Sequence, residues 1–353
     1  MAESQAQMLQ FHEAIKLKRF DENETLREKR DRILERLDQG LKKRFADENL
    51  PTPVYLATNQ GSYEMGNGVK PTDGDYDIDV GLYFNIAKAS YPDPVTVKLW
   101  IYEALFGHTK RVEVRRPCIT VFYEQSGEPQ YHVDLAVYSH SGSNSDGKTY
   151  LAKGKMNSTE EHRFWEESEV PKLIDLIKNR FQDQDDEQFR RIIRYLKRWK
   201  NLKFSSDGNA APIGIGMAVA GYYWFSPKRI NDSFNNTRRY NDLDALGCFV
   251  QTVISQFQLR YENGRWVERL QVTLPVAPGC DLFDKMTDLQ MVDFKEKLSS
   301  LLDTIQEAQR LADPKKACQL LKDEQFGKDF PVPSQTATAQ QRPPAIISSS
   351  SSA

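Results

Sequence analysis

Hydrophobic positions recur at spacings of three, four and seven from about Asn23 to Phe45, where Leu26, Ile33, Leu34, Leu37, Leu41 and Phe45 form one stripe opposite a charged face. That period predicts an amphipathic helix. Pro51 and Pro53 close the region, and Val54 to Ala57 starts a short apolar strand. Gly61, Gly66, Gly68, Pro71 and Gly74 mark the stretch from Gly61 to Asp75 as loop. From Asp77 to Phe84 the alternation is clean: Ile78, Val80, Leu82 and Phe84 share one face, and Asp77, Asp79, Gly81 and Tyr83 the other. Period two predicts a strand. A helix is expected over Val95 to Phe106, followed by strands over Arg111 to Tyr123 and Tyr131 to Tyr138. In the last of these, Val133, Leu135 and Val137 alternate with His132, Asp134 and Ala136.

After about Glu160 helical spacing dominates as far as Phe326. It is clearest from Gln188 to Lys200, where Phe189, Ile192, Ile193, Leu196 and Trp199 make one apolar face and Arg190, Arg194 and Lys197 lie together on the other. The apolar, glycine-interrupted run from Ala210 to Phe225 reads as a buried helix. The expected fold class is therefore α+β. An N-terminal helical region (1–50) precedes a mixed core of sheet and helix (51–160), a mostly helical lobe (161–332) and a tail (333–353). The tail is rich in Ser, Thr, Gln, Ala and Pro, a composition expected to be disordered.

Composition narrows the class. A chain of 353 residues with 39% apolar and 28% charged residues suits a globular protein with a sizeable core. Lys plus Arg (48) nearly balances Asp plus Glu (50), so no global charge draws it to nucleic acid. Cys118, Cys248, Cys280 and Cys318 form no C-x-x-C pair, which argues against a zinc ribbon and fits a reducing cytoplasm. The N-terminus lacks a signal-peptide layout, and no apolar run approaches the roughly 20 residues of a membrane helix.

The chemistry concentrates in GSYEMG (61–66), YDIDVGLYF (76–84) and VDLAVY (133–138). Aspartates at i and i+2 of a strand project from one face, about 6–7 Å apart. Two carboxylates that close repel unless a cation lies between them. Asp134 from a neighbouring strand would complete a two-metal site with Asp77 and Asp79. There one magnesium would activate an attacking hydroxyl and the other would steady leaving phosphates. Gly61 and Ser62 stand on a turn after a strand, where backbone N–H groups and a hydroxyl can hold a triphosphate. His132, two positions from Asp134 on the same strand face, is expected to pack or hydrogen-bond, with tuning of the acidic site as the other reading. The run Lys110, Arg111, Arg115 and Arg116 reads as a solvated strand edge.

With these segments the chain resembles the DNA polymerase beta-like nucleotidyltransferase superfamily, and within it the bacterial cGAS/DncV-like nucleotidyltransferases. FHEAIKL…ETLREKRDRIL looks like the family's spine helix, RYLKRWK (194–200) like its basic helix, APIGIGMAVAGYYW (211–224) like the buried helix after it, and FGKDFP (326–331) like the end of its folded part. The resemblance implies synthesis of a cyclic oligonucleotide from nucleoside triphosphates in antiphage signalling. Two Mg2+ ions (or Mn2+) would be held by Asp77, Asp79 and Asp134, and Gly61, Ser62 and Lys197 would contact nucleotide. It also implies an effector that senses the product, an E1/E2-like conjugation partner at the C-terminal tail, a cytoplasmic location, and neither membrane nor stable nucleic-acid partners. One departure stands out. Family members often place serine in the loop after the basic helix, whereas this loop reads Pro212, Ile213, Gly214. A phosphate contact there is lost or made by backbone N–H groups. Transfer to an RNA, protein or small-molecule acceptor uses the same residues, and a non-catalytic scaffold is the third reading.

Overall fold

The computed structural model describes residues 4–17, 22–72, 74–124, 130–205, 211–232, 237–262 and 264–334. Beyond residue 334 the tail expected from composition lies outside the described residues.

The chain opens with α1 (Gln5–Ile15) and α2 (Glu22–Asp47), then β1 (Tyr55–Asn59), the single-turn α3 (Gly61–Glu64), β2 (Asp75–Phe84) and α4 (Pro94–Leu105). Strands β3 (Arg111–Val114), β4 (Ile119–Tyr123), β5 (Gln130–Ser139), β6 (Tyr150–Lys153) and β7 (Phe164–Glu167) complete a seven-stranded sheet. Its main path runs β1-β2-β5-β4-β3, with β6 on β5 and β7 on β6. Among the described residues, only β2 and β5 pair in parallel. Leu26, Ile33, Leu37, Leu41 and Phe45 of α2 bury against this sheet with Ile78, Val80, Leu82 and Phe84 of β2. Both faces therefore fall where the two periodicities place them. Asp93 caps α4 by accepting from the Val95 amide, with Pro94 in the first turn.

Two expectations need correction. The run from Arg111 to Tyr123 is not one strand but the hairpin β3–β4, broken at Arg115–Cys118. Pro117 lies in that break and has no N–H for a ladder. The stretch from Gly61 to Asp75 is not all loop, because its first four residues close the turn α3.

A second core follows, built from α5 (Val170–Lys178), α6 (Asp183–Lys203), α7 (Gly214–Trp224), α8 (Asp242–Ser255), the hairpin of β10 (Phe257–Glu262) and β11 (Arg265–Leu270), α9 (Asp288–Arg310) and α10 (Pro314–Leu321), while the hairpin of β8 (Arg229–Asp232) and β9 (Thr237–Tyr240) joins α7 to α8. Although it starts the chain, α1 packs here: Phe11 stacks on Tyr195 and tilts against Phe326 and Phe330. Arg191, Gln188 and Tyr195 of α6 converge on the fully buried Asp242 carboxylate. An ion pair of this kind is held by geometry, and losing one partner would strand the other charge. Among the described residues, no helix is long and apolar enough to cross a membrane.

Candidate active site

Parallel pairing of β2 with β5 sets Asp77 beside His132 and Asp79 beside Asp134. Antiparallel β4 puts the buried Thr120 opposite Asp134, and its hydroxyl donates to that carboxylate. The His132 ring lies 3.3 Å from an Asp77 oxygen through Nε2 and 2.9 Å from Asp75 through Nδ1. Asp77, His132 and Asp134 each offer one ligand atom, and these atoms lie within 4.8 Å of one another. That donor set could hold a metal ion. Asp79 stands next along the same strand face, against the Gly61 turn.

The turn itself is tied to the acidic strand. The Gln60 amide donates to the Asp79 carbonyl at 2.8 Å, and the Gln60 side chain bridges the stacked Tyr83 and Tyr138 rings by hydrogen bonds to both hydroxyls. Gly61 adopts φ of +63°. Gly61, Ser62, Asp77 and Asp79 line one wall of a cavity of about 570 Å³; Lys197, Lys200 and Asn201 of α6 and Gly214 of α7 line another. Met65, Val69, Val170, Leu173, Ile215 and Ala218 supply an apolar side. An open cleft lined by acids, cations and apolar side chains suits a charged, flat-ringed ligand.

The clustered charges act on one another's titration. Burial first, and then the charges of Asp79, Asp134 and Asp75, push the Asp77 carboxyl up to about 9. Burial and Asp134 push Asp79 up to about 6. Burial, then Arg194 and Lys200, lower Lys197 to about 7. Lys197 is not a solvated lysine on a basic stripe: it is 7% exposed, and its Nζ donates to the Asn67 side chain at 2.7 Å and carbonyl at 3.2 Å. Of the strand-edge cations, Arg111 pairs with Glu113 and Glu124, and Arg115 with Glu113.

Raised carboxyls predict a pH signature. A carboxyl that keeps its proton to higher pH in the folded chain than in the unfolded chain stabilises the fold below its usual value of 3.8. It loses that contribution as the pH rises through 6 for Asp79 and 9 for Asp77. The melting temperature of chelator-treated wild type is therefore expected to fall relative to that of Asp77→Asn between pH 5 and 9, a difference that cancels the opposite contributions of Lys197 and His12, and added magnesium to narrow the gap. Asp77→Asn should raise the chelated protein's melting temperature at pH 8 by about 2–4 °C and shrink the magnesium effect, the 45% exposed side chain limiting the size. Calorimetry across pH checks this. An unchanged slope in the variant would refute the assignment.

Each predicted site residue is thus accounted for. Asp77, Asp79, Gly61, Ser62 and Lys197 share the cavity wall, and Asp134 adjoins it one strand away. The sequence does not single out Thr120, and it places His132 on the face of Asp134 without showing that its ring meets Asp77.

Residues 57–138 match the family model described as Cyclic GMP-AMP synthase DncV-like, nucleotidyltransferase domain. A curated relative, Cyclic GMP-AMP synthase of Escherichia albertii, is 28% identical over 276 residues, or 75% of this chain. The chain spans 55% of that relative's length. Two solved structures share the fold. CdnC of E. coli MS115-1 with ATP has a TM-score of 0.64 and 17% identity, covering 92% of this chain and 98% of CdnC. Vibrio cholerae DncV with the linear intermediate 5′ pppA(3′,5′)pG has a TM-score of 0.66 and 14% identity, covering 91% and 96%.

Proposed function

We propose that this chain, a bacterial cGAS/DncV-like nucleotidyltransferase, joins nucleoside triphosphates into a cyclic oligonucleotide. The observation that carries the reading is the single cavity in which the Asp77–Asp79 strand faces Lys197 across the Gly61–Ser62 turn.

In this reading Asp77, Asp79 and Asp134 hold divalent cations, with His132 beside Asp77 fixing that carboxylate's orientation. Such a cation, magnesium or manganese, supplies positive charge that acidifies an acceptor hydroxyl and offsets the phosphate charge. The Ser62 hydroxyl and the backbone N–H groups of the turn hold the triphosphate tail. Lys197 approaches from α6 and regains full charge against the phosphates, since an anion raises a lysine that burial has lowered. The apolar wall of Val170, Leu173, Ile215 and Ala218 takes the base and excludes water from the reacting end. Most of the acceleration comes from alignment and from pre-set charge. The linear intermediate seen in DncV gives the order expected here, in which one bond forms before the ring closes. A role in antiphage signalling, an effector sensing the product, and conjugation at the tail belong to the same reading.

The test is to incubate the purified chain with all four nucleoside triphosphates and magnesium, then resolve products by mass spectrometry. The expected product is phosphatase-resistant and cyclic. Linear products alone, or label carried on a macromolecule or small acceptor, would overturn cyclisation and favour the acceptor-modifying alternative.

A further inference from the structure

Three cations of α6 at i, i+4 and i+7, namely Arg190, Arg194 and Lys197, turn inward onto one short loop, Gly66-Asn67-Gly68. The Arg190 guanidinium lies against Gly66, and Lys197 holds Asn67. Arg194 uses its whole fork. Its Nε donates to the Gly68 carbonyl at 3.1 Å, its Nη2 to the Gly66 carbonyl, and its Nη1 contacts His12 Nε2 at 2.9 Å. A guanidinium has no acceptor, so His12 Nε2 accepts and the ring is neutral. Burial and Arg194 hold His12 down to about 4, with Lys16 and Arg191 acting in the same sense and Glu13 opposing.

The loop is a lever on the phosphate-binding turn. Asn67 N–H donates to the Ser62 carbonyl and Gly66 N–H to the Tyr63 carbonyl, both at 3.1 Å. On its other side the loop is stitched to the segment after α1, with Lys70 N–H on the Ile15 carbonyl and Leu17 N–H on Gly68. Arg194 thus joins the sheet core, which carries Gly61, Ser62 and the acids, to the helical core, which carries Lys197.

We propose that Arg194 is a positioning residue for nucleoside triphosphate binding. It acts through the Gly66–Gly68 carbonyls to set Ser62 against Lys197, and His12 orients its fork. This rests on the nucleotidyltransferase reading above. A lysine presents a compact point charge on a shorter stem in place of the planar fork that spans Gly66, Gly68 and His12, so Arg194→Lys keeps the charge and loses the geometry. His12→Gln retains an acceptor for Nη1, whereas His12→Leu removes it.

The experiment uses the full chain with magnesium. It combines calorimetric binding of a nonhydrolysable GTP or ATP analogue, steady-state KM and kcat, and NMR titration of the His12 ring. Arg194→Lys is expected to weaken analogue binding and raise KM roughly ten- to a hundredfold, with kcat within about threefold. His12→Leu should shift binding the same way by a smaller factor, and His12→Gln should restore wild-type values. In Arg194→Gln the His12 ring should titrate nearer neutrality. Wild-type binding in both Arg194→Lys and His12→Leu, or a loss confined to kcat, would overturn the proposal. If Arg194→Lys does not fold, the contrast between His12→Leu and His12→Gln decides it. A wild-type chain that binds neither analogue overturns the underlying functional reading instead, a result separable from normal binding in the variants.

Discussion

Asp79→Asn is expected to lower turnover by roughly 10³-fold or more while leaving the fold intact. Asp79 lines the cavity, sits in register beside Asp134 and lies against Gly61. Asparagine keeps the shape but removes the charge that a divalent cation would require, and it can turn an amide donor to the place where that cation would meet an acceptor. Unfolding would not explain the loss. The carboxyl is pushed up to about 6 by burial and by Asp134, so neutralising it relieves repulsion in the cation-free protein. The variant's melting temperature in chelator should equal or exceed the wild-type value, while its magnesium-induced stabilisation shrinks. Steady-state turnover at saturating magnesium beside a calorimetric scan separates the two effects. Activity within tenfold of wild type would end the metal-centred reading.

Why Asp79 is legible in the sequence is clear from β2. Its alternation put Ile78, Val80, Leu82 and Phe84 in the core and left Asp77 and Asp79 toward the cleft, and burial follows that split. Local period carries such information because a strand's two faces differ in solvent. What it lacks is the identity of the neighbour. His132 faces Asp77 only because β5 runs parallel to β2 in one register, and a shift of one residue would send it to the other side. The same blindness hid where the cations of α6 pack, although the resemblance had marked Lys197 as a nucleotide contact. Amphipathic spacing assigned Arg194 and Lys197 to a polar face, which is usually solvated. That helix lies between two packed surfaces, its apolar side on α7, α8 and α1 and its cationic side on the Gly66–Gly68 carbonyls. Lys98 of α4 shows the point again, since a wholly buried ammonium there donates to the carbonyls of Arg115, Arg116 and Gly154. Long-range acceptors of this kind leave no mark in the helical period.

Gly61→Ala isolates a different requirement, the closeness of the turn to the acidic strand. Two costs arise together at this position. Its φ of +63° disfavours any Cβ, by about 1–2 kcal/mol. In addition, a Cβ built there falls on the Asp79 carboxylate, far inside contact distance. The backbone cost alone would reduce stability. The collision must displace either the turn that carries Ser62 or the Asp79 side chain, and misplacement by about 1 Å at a reacting centre can cost on the order of a hundredfold. Gly107→Ala supplies the control, because Gly107 has φ of +75° with nothing near its missing Cβ. Both variants should lose a few degrees in melting temperature, Gly61→Ala the more, yet only Gly61→Ala should lose about a hundredfold or more in kcat/KM. Equal kinetic losses in the two, measured alongside their melting curves, would mean that the close approach of Gly61 to Asp79 has no part in the chemistry.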